Sequence, residues 1–67
     1  MRMGHVIRKA REDKALTQKE LAKKARVSRR TISALESGKH NLTFNIFERV
    51  TGALDIPVDF LLYKDDT

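Results

Sequence analysis

The sequence predicts an all-α fold, a compact five-helix domain, and three observations carry that prediction. The same helix-start signal, a capping Ser or Thr with an apolar residue before it and another four positions into the helix, occurs at Thr17, Ser28 and Thr43. Apolar residues around these signals recur at helical spacing. With 67 residues the chain makes one domain, 1–67, expected to have its core over about 4–63 and a fraying tail at 64–67.

The first helix is expected over Gly4 to Lys14. Met3, Ile7, Ala10 and Arg11 fall along one side with Val6 nearby, while Arg8, Lys9, Glu12 and Asp13 are solvated. Arg11 stands on the stripe that faces the core, where an unpaired guanidinium is costly, so it needs a partner. Glu36 is the best candidate. If that pair is buried, losing one member costs about 3–5 kcal/mol; if it lies at the surface, it is worth under about 1 kcal/mol.

The second helix starts at about Gln18: Thr17 caps it, Glu20 completes a capping box, and Leu16 with Leu21 form the staple. The third runs from about Arg29 to Ser37, opened by Ser28 with Val27 and Ile32, and closed by Gly38 at the left-handed C-cap position. Only Ala25, Arg26 and Val27 remain for the corner, a length that suits two helices crossing steeply. Leu21, Ala25, Val27, Ile32 and Leu35 can pack inside it, and the small Ala22 lets the helices approach. At 100° per residue, Arg29, Arg30, Ser33, Ala34 and Ser37 then fall away from the core, on a face that is short-chained or cationic and carries no acid.

Thr43, with Leu42 and Phe47, opens the fourth helix, which runs to about Leu54 with Ile46, Phe47, Val50, Ala53 and Leu54 facing in; Gly52 weakens it. Ile56-Pro57-Val58-Asp59 begins the fifth. Pro57 suits a first turn and Asp59 favours the N-terminal dipole, while Phe60, Leu61 and Leu62 supply apolar contacts and Tyr63 finishes the stripe.

The string Thr17-Gln18-x-Glu20-Leu21-Ala22-x-x-Ala25-x-Val27-Ser28-x-x-Thr31-Ile32-Ser33-x-Leu35-Glu36-x-Gly38 resembles the helix-turn-helix domains of phage Cro and repressor proteins and the related Xre-type bacterial regulators. The resemblance spans roughly Gly4 to Leu62. It implies a Cro/repressor-like DNA-binding domain with its helix-turn-helix at helices 2 and 3, and a structural ion pair between Arg11 and Glu36. It also implies phosphate contacts from Gln18, from Ser28 or Thr31, and from Lys39, His40, Asn41 and Thr43. Dimer contacts are implied for helix 5 and its surroundings, where Phe60, Leu61 and Tyr63 supply the patch or else simply close the monomer's core. The family usually has glycine where Ala15, Arg26 and Asp55 stand, and a left-handed conformation costs a non-glycine residue roughly 1 kcal/mol or more.

If the outward face of helix 3 enters a DNA major groove, Arg29 and Arg30 reach base edges first. A guanidinium binds guanine O6 and N7 at once, so one of the two reads a guanine, or each holds only phosphates. Ser33 and Ala34, a turn further on, touch a base or a thymine methyl.

Charge agrees with that direction. Residues 1–42 hold twelve Lys or Arg against four acids, and residues 43–67 hold two against five, within a formal net charge of +5. A basic half and an acidic half fit a cationic face for a polyanion, although scattered charge also serves solubility alone. The absence of cysteine excludes a disulfide framework and a thiolate metal site, and no apolar run approaches the ~20 residues of a membrane-spanning helix. A soluble cytoplasmic protein is expected. His5 and His40 make no metal set, no cofactor is expected, and Ser28, Ser33 and Ser37 lack a histidine and an acid at suggestive spacing, so the chain does not read as an enzyme.

Two functions remain in view. One is a transcriptional regulator, a repressor, acting as a symmetric homodimer on a palindromic double-stranded operator. The other is an antitoxin-like subunit that binds a toxin partner and regulates its own operon, which co-purification of a stoichiometric partner would reveal. RNA binding lacks the interleaved aromatics that stack unpaired bases.

Overall fold

Three of the described helices begin where a side-chain oxygen takes over the first orphan amides. In the computed structural model, which describes residues 3–39 and 43–56, the helices are α1 (Met3–Asp13), α2 (Gln18–Ala25), α3 (Arg29–Glu36) and α4 (Phe44–Ala53), with no strand among the described residues. Thr17 Oγ1 accepts from the Glu20 amide at 3.0 Å while Glu20 Oε1 accepts from the Thr17 amide at 2.8 Å, the reciprocal capping box. Ser28 Oγ accepts from the Thr31 amide at 3.1 Å and Thr43 Oγ1 from the Ile46 amide at 3.2 Å. The expected fifth helix lies outside the described residues, as do His40, Asn41, Leu42, Phe60, Leu61, Tyr63 and the Met3 side chain.

Three turns depart from right-handed backbone at residues that carry a Cβ: Ala15 at φ 56°, Arg26 at φ 60° and Asp55 at φ 57°. These are the positions where the resemblance leads one to expect glycine. Arg26 holds the corner all the same, with its own amide and that of Val27 bonded back to Lys23 O and Ala22 O at 3.2 and 3.0 Å. Gly38, at φ 77°, ends α3 as expected.

Ile7, Leu21, Ala22, Ala25, Ile32, Leu35, Val50, Ala53 and Leu54 form one buried cluster, and Ala10, Leu16, Val27, Ile46 and Ile56 pack against it. The helix α3 is held between α1 and α2, and α4 backs α2. Two packing features go beyond the apolar pattern. Gly4 is buried so close to the end of α3 that a Cβ there would lie 2.3 Å from Leu35 O and 2.7 Å from Glu36 O. Thr51 is 2% exposed and donates its hydroxyl to Phe47 O at 2.8 Å, so it enters the core with its polar group satisfied.

Candidate nucleic-acid interface

The side of α3 turned away from the core exposes Arg29, Arg30, Ser33 and Ser37, with Ala34 half-buried at its edge. Its first turn holds no acid, so the helix N-terminus and the two guanidinium groups present positive charge together. A partly buried brace positions this face. Arg11 Nε donates to Glu36 Oε2 at 2.7 Å and Arg11 Nη2 to Glu36 Oε1 at 3.1 Å, while Arg11 Nη1 donates to Leu16 O at 2.8 Å. The two side chains are 13% and 5% exposed. The hydrogen bond to Glu36 raises the Arg11 pKa above its already high ordinary value, burial opposing, so the charge is firmly held.

The residues expected at phosphates fall into distinct settings. Gln18, at the first turn of α2, donates from Nε2 to Glu36 Oε1 at 3.2 Å and so joins the Arg11–Glu36 brace. Ser28 Oγ and Thr31 Oγ1 lie 2.9 Å apart and are tied to each other at the start of α3. Lys39 and Thr43 are exposed on either side of the segment that holds His40 and Asn41. Phe44 follows Thr43 and is 66% exposed, with its ring 6.4 Å from that of Phe47. An outward phenylalanine was not foreseen, because Phe44 sits one residue past a cap where periodicity alone assigns no side.

Charge is sorted between the helices. On and just after α1 each Lys or Arg faces a carboxylate: Arg8 with Glu12 at 3.2 Å, Lys9 with Asp13 at 3.5 Å, Arg11 with Glu36, and Lys14 with Asp55 at 3.3 Å. Among the described residues, Lys19, Lys23, Lys24, Arg26, Arg29 and Arg30 have no such partner, and the two acids of α2 and α3 are engaged in the capping box and the brace. Two short helices whose cations face no carboxylate among the described residues, one presented outward and clamped from behind, form a surface suited to a polyanion. Among the described residues no group of three or more His, Asp or Glu could hold a metal ion, and no helix is long and apolar enough to cross a membrane.

The profile of the helix-turn-helix family HTH_3 matches residues 7–61. The chain belongs to this family. HTH_3 is a non-enzymatic family of DNA-binding transcriptional regulators, and this chain is one of its members. It is 36% identical over 65 residues to an immunity repressor protein of Bacillus phage phi105, covering 97% of this chain and 45% of that protein, so it spans about half the length of that relative. It is 38% identical over 52 residues to an uncharacterized helix-turn-helix-type transcriptional regulator of Methanocaldococcus jannaschii, covering 76% of this chain and 79% of the relative. Among solved structures it is similar to the wild-type restriction-modification controller protein C.Esp1396I, with a TM-score of 0.83 and 30% identity over 94% of this chain and 83% of that one. It is also similar to the master regulator for biofilm formation SinR in complex with DNA, with a TM-score of 0.82 and 33% identity over 90% of this chain and 97% of that one.

Proposed function

We propose that this helix-turn-helix protein is a sequence-specific repressor that reads the major groove of double-stranded DNA with residues 29–37, as a symmetric homodimer on a palindromic operator in the cytoplasm. The observation that carries the reading is the pair Arg29 and Arg30, exposed at the N-terminal end of a helix clamped from behind by the Arg11–Glu36 brace. A recognition helix discriminates bases only if its register is rigid, and the brace supplies that rigidity from α1. Arg29 and Arg30 are the base readers, with Ser33 and Ala34 a turn further on. Gln18, Ser28, Thr31, Lys39, His40, Asn41 and Thr43 hold the phosphates on either side.

The similarity to a phage immunity repressor supports the repressor assignment, and that to SinR in complex with DNA supports the docking mode. Phe60, Leu61 and Tyr63 are the proposed dimer contacts, within a domain whose core runs over about 4–63. Selection of bound duplexes from a random pool tests the whole reading. A two-fold symmetric consensus with half-sites about one helical turn apart and a guanine in each is expected. Recovery of a pool without any consensus would sink sequence-specific recognition.

A further inference from the structure

The Arg11–Glu36 brace grips α3 at its last residue, whereas the side chains proposed to read bases stand at its first turn. At 1.5 Å of rise per residue, Arg29 and Glu36 lie roughly 10 Å apart along the helix axis. A swing of about 5° about the braced end would displace Arg29 by about 1 Å, beyond the ~0.5 Å to which a recognition side chain must be held. The near end of α3 therefore needs its own restraint.

That end issues from the corner between α2 and α3, which turns at Arg26 with φ 60° and ψ 43°. The corner amides bond back into α2, Arg26 N to Lys23 O and Val27 N to Ala22 O, and neither bond uses the Arg26 carbonyl. Arg49 of α4 does use it. Its Nη1 donates to Arg26 O at 3.4 Å, and among the described residues this is the sole side-chain hydrogen bond to Ala25, Arg26 or Val27. Half-buried Val27 packs against the core, but an apolar contact is non-directional and leaves the turn free to rotate. A guanidinium on a carbonyl is directional, and at the C-terminal end of α2 its charge also meets the negative end of the helix dipole.

We propose that Arg49 is a positioning residue for DNA recognition: by holding the corner carbonyl from α4, it sets the angle at which α3 leaves α2, and so the register of Arg29 and Arg30 in the groove. The inference rests on the DNA-binding reading above. It gives α3 a restraint at each end, α1 at the C-terminal end and α4 at the corner. The acceptor is a backbone oxygen, so the restraint does not depend on the side chain at 26, and Arg49 needs no contact with DNA.

Arg49→Met tests this, because it keeps an unbranched stem and removes the donors. Lys9→Met is the control, since it removes one positive charge from an exposed position of α1 that is paired with Asp13 rather than with the corner. Affinities of the full chain for the selected operator and for random duplex are measured over a salt series, at a temperature where circular dichroism shows every variant folded. The bond is long and exposed, so Arg49→Met should weaken operator binding by about threefold to tenfold. Random-duplex affinity and the salt slope should stay as in wild type, so the operator-to-random ratio falls by the same factor; Lys9→Met should leave that ratio unchanged. A loss of global stability alone would not move this ratio among folded chains. If Arg49→Met does not stay folded, Arg49→Lys, with a single shorter donor, carries the same test. An unchanged ratio overturns the proposal, as do equal losses on both duplexes with a slope lower by about 0.9, which would put Arg49 on a phosphate. A wild-type chain that binds operator and random duplex alike removes base reading itself, and the positioning role with it.

Discussion

Glu36 receives three donors from two other helices, two from Arg11 and one from Gln18, while being 5% exposed. Glu36→Ala strands the Arg11 guanidinium in that setting and should cost about 3–5 kcal/mol. For a domain of this size that lowers the melting temperature by more than about 10 °C; a wild-type melting curve by circular dichroism would rule out the clamp. Arg30→Ala is expected to weaken operator binding by about 1–3 kcal/mol and relax preference at one base pair, whereas Lys39→Ala should weaken all sequences alike. Titrations on operator and random duplex distinguish these outcomes, and equal losses on both from Arg30→Ala would place that side chain on phosphate. The Arg11–Glu36 pairing was legible in the chain because a charge on an apolar stripe demands an opposite charge. The Gln18 tether was not legible. An amide at a helix start fits several partners, and only the third dimension puts it within reach of Glu36. Thr51 lies four residues after Phe47 and so shares its stripe, but the hydroxyl concealed its inward position until its bond to Phe47 O was visible.

At the level of elements, caps made the starts of α2, α3 and α4 readable to the residue, because the chemistry is local: Thr17, Ser28 and Thr43 each accept from the amide three positions on. Helix α1, for which the sequence shows no cap, starts at Met3 rather than Gly4. The α3 C-terminus fell one residue short of expectation, with Ser37 as its cap rather than its last member. Backbone strain at the turns followed from residue type as well. Arg26→Gly and Ala15→Gly should each stabilise the fold by up to about 1 kcal/mol by relieving left-handed backbone. Urea unfolding of both variants reads this directly, and a loss of stability in both would mean that the side chains do more in those turns than occupy them. Helix-to-helix approach left no such trace in the sequence. Gly4 carries no cap or turn signal, yet the backbone carbonyls of Leu35 and Glu36 leave no space for a Cβ. Gly4→Ala should therefore cost about 1–3 kcal/mol through overpacking. It should also loosen α1 from α3, visible as faster amide exchange at the end of α3; wild-type exchange and stability would contradict the close approach.

For the whole molecule, the described helices bury one apolar cluster and leave at the surface the cations of α2 and α3, which face no carboxylate among the described residues. The proposed homodimer predicts a mass that rises from one chain to two with concentration or on adding a two-site duplex, measured by light scattering; one chain per duplex at saturation would contradict it. The way charges are distributed between α1 and its two successors also bears on kinetics. Carboxylates offset the cations of α1 locally, whereas those of α2 and α3 act together at a distance, so the described helices carry a permanent electrostatic asymmetry. In the field of a nucleic-acid rod such a body experiences torque and is turned before it touches. The rate of productive encounter should accordingly fall with ionic strength more steeply than the rate of escape rises.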